Sequence, residues 1–224
     1  MNQTTSIKPS GRPKGGYQLA DGTRVPGVTT IIGRFKDSGA LMQWAFMQGR
    51  AGKERLYEET ERAADIGTYA HELVQAWLRK EGAPLSPLDE AGTVQAQTAF
   101  GAFLKWAEQT RLRIQQTEIP LVSEQYRFGG ALDAVGYVGD DLCLLDWKTS
   151  NGVYTDYLIQ LAAYRYLWEL NNPAEPLVGF HLLRFAKEHG DFAHHYFPNL
   201  DDGWRMFVLL REAYDLDKQL KKRV

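Results

Sequence analysis

The sequence predicts an α/β or α+β fold, and three features of the pattern carry that prediction. Residues 64–80 set Ile66, Ala70, Leu73, Val74, Trp77 and Leu78 on one stripe at helical spacing. Residues 113–147 break into strand-like runs joined by short turns. After them come a further helical stretch, two more strand-like runs and a closing helix.

In chain order, residues 1–16 are polar and rich in Gly, Pro and Ser, the composition of a flexible arm. Residues 17–224 are expected to form a single domain. Tyr17–Leu19 and Thr23–Val25 flank Ala20-Asp21-Gly22 as a small hairpin. Val28–Phe35 and Ala40–Arg62 read as helical, with Leu41, Trp44, Ala45 and Gln48 on one face. A stronger helix follows over Ala64–Lys80, stopped by Glu81-Gly82-Ala83-Pro84. A third long helix spans Glu90–Thr110. Strands are expected at Arg113–Pro120, Leu121–Phe128, Gly130–Val138 and Asp141–Trp147. Thr155–Leu170 is helical, Val178–Phe185 and Phe192–Phe197 are strands, and Asp201–Leu220 closes the chain with Asp201 or Asp202 as N-cap.

Composition narrows the function. Of 224 residues, 44% are hydrophobic and 24% charged, which excludes wholesale disorder and fibrous structure. A single cysteine, Cys143, excludes an internal disulfide framework, an all-cysteine zinc site and a four-thiolate cluster built from this chain. No apolar run approaches the roughly 20 residues of a bilayer span, so no membrane partner is expected. The first residues lack the apolar core of a secretory signal, and a cytoplasmic location is the expectation. Net charge is −2, so any polyanion must be held by a local basic surface or a bound cation.

The most informative stretch is residues 129–150. Folded as a hairpin about Gly139-Asp140, it pairs residues whose numbers share one sum, and Asp133 then falls opposite Asp146. Their Cβ atoms would stand roughly 4.5–5.5 Å apart. Lys148, two residues on, projects from the same face as Asp146. Two carboxylates about 5 Å apart repel by roughly 3 kcal/mol at an effective dielectric of 20. A neighbouring ammonium offsets part of that, and a hard divalent cation with its waters offsets more. An isolated Asp-x-Lys is ordinarily a surface network. Here the apolar run Leu142-Cys143-Leu144-Leu145 marks a strand buried on both faces, and charges at the end of such a strand favour a site.

Two helices supply further polar groups. His71 lies at the margin of the Ile66–Leu78 stripe, with Gly67 one turn earlier leaving room for close backbone approach. It is a boundary histidine or one that reaches a cleft as ligand or phosphate contact. Gln160 points away from the outer face marked by Arg165 and Glu169, with Tyr164 one turn on. Such an amide either braces a polar site or bonds backbone in the core.

Taken together, Gly67-x-x-x-His71, Gly130-x-x-Asp133, Asp146-Trp147-Lys148 and Gln160-x-x-x-Tyr164 resemble, in order and separation, the RecB-like branch of the PD-(D/E)XK nuclease superfamily. Val28-Thr29-Thr30-Ile31 followed by Leu41-x-x-Trp44 resembles the N-terminal part of phage and bacterial exonucleases of that branch. The resemblance implies a restriction-endonuclease-like core, a central mixed sheet flanked by helices. It implies Mg²⁺ or Mn²⁺ held by Asp133, Asp146, the Trp147 carbonyl and His71, with Lys148 positioning the attacking water. Gln160 and Tyr164 would brace the site or touch DNA, and Glu118 would be an added acidic residue. Leu132 stands where the family's proline precedes the first aspartate. The implied activity is DNA hydrolysis to a 5′-phosphate and a 3′-hydroxyl, by an exonuclease of repair, recombination or phage DNA processing. A recombinase, annealing protein or helicase would be a separate protein, and the residue pattern sets no oligomeric state.

Arg127, Arg184 and Lys187 are candidate phosphate contacts, or ordinary solvated charges. Tyr126, Phe128 and Trp147 could stack on unpaired bases, or pack in the core. The competing functions are a non-catalytic nucleic-acid-binding module on the same fold, a structure-specific endonuclease, and an unrelated hydrolase using His71 or His194-His195. The last two histidines are adjacent on one strand and so face opposite ways, which makes a poor joint site.

Overall fold

A computed structural model describes residues 13–36, 39–50, 56–150, 152–185 and 192–223. The elements are β1 (Tyr17–Gln18), β2 (Arg24–Val25), α1 (Val28–Arg34), α2 (Gly39–Arg50), α3 (Leu56–Leu78), α4 (Glu90–Gln109), β3 (Arg113–Ser123), β4 (Phe128–Val138), β5 (Asp141–Thr149), α5 (Thr155–Asn171), β6 (Gly179–Phe185), β7 (Phe192–Phe197) and α6 (Asp201–Lys221). The central sheet has the order β3-β4-β5-β6-β7. All its neighbours are antiparallel except β5 and β6, which run parallel across the α5 crossover. The fold is therefore the mixed α/β type, a five-stranded mixed sheet flanked by helices.

The middle strand explains the layers. Leu142 and Leu144 join an apolar cluster with Val28, Ile31, Leu161, Leu167, Trp168 and Phe207, from α1, α5 and α6. Leu145 and Trp147 join Ile66, Leu73, Val74, Phe103 and Trp106, from α3 and α4, on the opposite face. Strand alternation thus sends successive β5 side chains into two separate cores. Burying an aliphatic side chain of this kind stabilises by about 1.5–3 kcal/mol, and Leu144 and Leu145 are both wholly buried.

Three expectations are corrected. Arg113–Pro120 and Leu121–Phe128 are not two strands but one, β3, which runs through Pro120 to Ser123. β3 is an edge strand, where a residue without an N–H is tolerated. The chain turns later, at 124–127, where the Tyr126 N–H donates to Ser123 Oγ (3.1 Å) and Arg127 takes a left-handed φ of 53°. The division between helices 40–62 and 64–80 also falls elsewhere: α3 runs unbroken from Leu56 because no Gly or Pro interrupts 56–66. Its stop is left-handed Lys80 (φ 56°), with the Glu81 N–H donating to the Ala76 carbonyl at 2.9 Å. Finally, Leu200 holds the N-cap position of α6 and Asp201 and Asp202 fill the first turn. The flexible-arm reading of residues 1–16 falls mostly outside the described residues, as do the side chains of Leu41, Trp44 and Ala45.

Candidate active site

The hairpin between β4 and β5 sets the site. Gly139 takes a left-handed φ of 65° and Asp140 does not, as a type II′ turn requires. Ala134 pairs with Leu145, Val135 with Leu144 and Val138 with Asp141, so the register has the constant sum that the turn predicts. The ladder ends at Ala134–Leu145, one step before the two aspartates. Beyond it the Trp147 N–H donates to Asp133 Oδ2 at 3.0 Å, so a carboxylate stands in for a strand carbonyl.

On the other side of β4, Ile119 pairs with Leu132 and Thr117 with Ala134, which puts Glu118 level with Asp133. Glu118 is held in a left-handed conformation (φ 50°) unusual for a non-glycine residue inside a strand. Its carboxylate is ion-paired with Arg79 at the end of α3. Glu118, Asp133 and Asp146 therefore form one row across three strands.

Asp146 is almost wholly buried, and its Oδ1 has no hydrogen-bond partner. The Lys148 ammonium lies 2.6 Å from its Oδ2 as an ion pair and 5.4 Å from the centre of the Tyr157 ring. Burial raises Asp146 to about 6; the Asp133 charge adds to that rise and Lys148 opposes it. Burial also raises Asp133, against the pull of Lys148 and the Trp147 N–H. For Lys148, burial favours the neutral amine, yet the charges of Asp146 and Asp133 outweigh it and hold the ammonium. Lys148 therefore stands as a charged ammonium beside Asp146.

α3 reaches the site because Gly67 lies directly against Thr149 at the end of β5, leaving no space for a β-carbon. His71, one turn on, is half-buried, and burial holds its imidazole below the usual histidine range. The charges of Asp146, Lys148 and Glu118 act on it. From α5, Gln160 Nε2 donates to the Tyr164 hydroxyl at 2.7 Å. Burial, and then the two aspartates, push the Tyr164 phenol well above its ordinary value, so it keeps its proton. Tyr164 packs where a β-carbon on Gly130 would come within 2.7 Å of its ring.

The remaining sequence candidates divide. Arg184 Nη1 donates to the Ser150 carbonyl at 3.1 Å, at the end of β5. Arg127 is exposed in the β3–β4 turn, and Lys187 lies outside the described residues. Phe128 and Trp147 are buried core residues, and Tyr126 is half-buried, in T-shaped contact with Tyr166 and Trp204. His194 pairs not with His195 but with His181, Nε2 to Nδ1 at 2.7 Å, with rings stacked at 4.9 Å. Arg79 and Tyr157 are contributors that sequence reasoning missed. No motif spacing marks either, since each reaches the site only through the packing of its helix.

The carboxylates of Asp133 and Asp146, the latter with an unpartnered buried oxygen, suit a hard cation. Among the described residues, no three His, Cys, Asp or Glu side chains converge as a metal-holding group. Any cation here would complete its coordination with water, which Mg²⁺ favours.

No protein-family model matches the sequence, and no curated protein matches it. Solved structures resemble the fold. A protein described as a candidate exonuclease from Eubacterium rectale is 13% identical, with 66% of this chain and 68% of that one covered and a TM-score of 0.43. The alkaline exonuclease from Laribacter hongkongensis is 16% identical, with 73% and 92% covered and a TM-score of 0.34. Its complex with dAMP gives the same coverage and TM-score at 15% identity. At such scores the likeness carries no functional argument, which rests instead on the side chains. None of the described helices is long and apolar enough to cross a membrane.

Proposed function

We propose that this chain is a Mg²⁺- or Mn²⁺-dependent deoxyribonuclease of the PD-(D/E)XK type, acting as an exonuclease in repair, recombination or phage DNA processing. The observation that supports this best is Asp146, buried with its Oδ1 lacking a hydrogen-bond partner, level with Asp133 and tied through Oδ2 to Lys148. A structural ion pair would be expected to satisfy both oxygens.

Asp133, Asp146 and the Trp147 carbonyl would hold the cation, with His71 and Glu118 beside them. When bound, it would neutralise a phosphodiester and favour deprotonation of water. The rest falls to the chain. Lys148 keeps its ammonium and donates to the attacking water or to the phosphate as negative charge grows there. Tyr157 backs that ammonium with its ring face. Tyr164 accepts from Gln160 and retains its own proton as a donor toward the acidic pair. Arg79 holds Glu118 in place and offsets one of three clustered negative charges.

The test is digestion of 5′- and 3′-labelled single-stranded, duplex and circular DNA with Mg²⁺ and with Mn²⁺. Linear DNA should be degraded from an end, circles should survive, and EDTA should stop the reaction. Cut circles would point to the endonuclease reading. DNA affinity without cleavage under any metal would point to a binding module. Cleavage surviving exhaustive chelation would revive the histidine hydrolase.

A further inference from the structure

α6 carries two apolar faces where a surface helix needs one. Phe207 and Arg211 are buried, and Trp204, Leu210 and Tyr214 pack against the core. The far side sets Met206, Leu209, Ala213, Leu216 and Leu220 at successive spacings of 3, 4, 3 and 4 residues. Met206, Leu209, Leu216 and Leu220 are 46, 62, 52 and 60% exposed. Scattered exposed leucines are ordinary, but a seam that keeps heptad spacing along the helix is the pattern of a paired one.

Two properties of the seam choose its occupant. It is close to palindromic about the small Ala213. Turning a second copy end for end sets Met206 near Leu220 and Leu209 near Leu216, with the smallest side chain at the crossing. Net charge agrees: residues 201–205 carry Asp201, Asp202 and Arg205, net −1, and residues 217–223 carry Asp217 against Lys218, Lys221, Lys222 and Arg223, net +3. Antiparallel pairing puts acidic ends against basic ones, whereas parallel pairing sets like against like. The Arg205–Asp202 pair within the helix is solvent-exposed and costs little to exchange, and Lys221 can leave Asp217, which keeps Arg34 as its partner.

We propose that α6 is a self-association surface, pairing antiparallel with α6 of a second copy. A 21-residue helix is about 31 Å long, so the seam can be engaged along its length. One helix face supplies less than the roughly 800 Å² per partner of a standard interface, so the dimer is reversible. The surface is distinct from the residues assigned to hydrolysis and does not rest on that reading.

Sedimentation velocity of the full chain, from low to high micromolar concentration, tests it. The expected result is a shift from 25.4 kDa toward twice that mass. It should be abolished in the Leu209→Glu/Leu216→Glu variant, with circular dichroism unchanged, and with Tm unchanged at low micromolar concentration, where both chains are monomers. Cysteine cross-linking fixes direction and serves if that variant misfolds. Ala213→Cys should link to itself. Met206→Cys should link to Leu220→Cys in a mixture, and neither should link to itself. A wild-type chain that stays monomeric, as it would if the seam serves a different protein, overturns the proposal. So does a dimer untouched by the double variant, a larger oligomer, or self-linking of Met206→Cys and Leu220→Cys.

Discussion

The two ends of the β4–β5 pair have opposite characters. At the turn end, Ala134–Val138 and Asp141–Leu145 form an unbroken ladder whose central side chains are apolar and buried. At the open end the ladder stops, a carboxylate takes a backbone N–H, and Asp133, Asp146 and Lys148 gather. The first end is satisfied in itself. The second leaves a buried Asp146 oxygen without a partner beside a like charge, an arrangement that favours a ligand over stability. The hairpin thus combines a rigid clamp with a reactive tip, and each end can be broken separately.

The largest effect is expected at the tip. Asp146→Asn and Lys148→Ala should each lower cleavage by about 10³-fold, or about 4 kcal/mol in the transition state, while remaining folded. Labelled-DNA assays beside circular dichroism check both halves of that statement. At the clamp, Leu144→Ala should cost about 2–5 kcal/mol of stability in urea unfolding. The fraction that remains folded should cleave at close to the parental rate.

A pH comparison sharpens the contrast. Burial and the Asp133 charge raise Asp146 to about 6, above its ordinary carboxylate value of 3.8. Between those values the folded chain holds a proton that the unfolded chain has released. The stability this contributes is fully present below about 4 and is lost as pH rises through about 6. In EDTA, Asp146→Asn should therefore melt several degrees above wild type at pH 7.5, and the gap should close toward pH 4.5. Lowered His71 acts in the opposite sense, losing stability as pH falls below 6.5; because the Asp146 charge raises it, Asp146→Asn lowers it further, which also closes the gap toward acid pH.

Smaller effects lie where α5 meets the tip. Gly130→Ala pushes a methyl into the Tyr164 ring and should cost about 1–3 kcal/mol, read by urea unfolding. Tyr164→Phe removes the acceptor of the Gln160 hydrogen bond and should cost about 0.5–1.5 kcal/mol.

Much of this arrangement was legible in the residues. The hairpin register follows from Gly139-Asp140 and strand parity alone, because a tight turn leaves no freedom in pairing. The two-sided burial of Leu142–Leu145 follows from an apolar run without alternation. Gly67 as a point of close approach was readable too, although its partner, Thr149, was not. What stayed hidden depends on packing between distant segments. Arg79 meets Glu118 only because α3 ends above β3, and Tyr157 meets Lys148 only through the way α5 crosses the sheet. The division of β3 at Pro120 misled because proline's penalty depends on whether the strand lies at an edge, a property of the whole sheet.

The most direct test compares wild type and Asp146→Asn on 5′-labelled linear duplex DNA in Mn²⁺, with and without EDTA. The account predicts cleavage by the wild type that EDTA abolishes, and a folded variant that does not cut. Equal cleavage by the two proteins, or cleavage indifferent to EDTA, would contradict it.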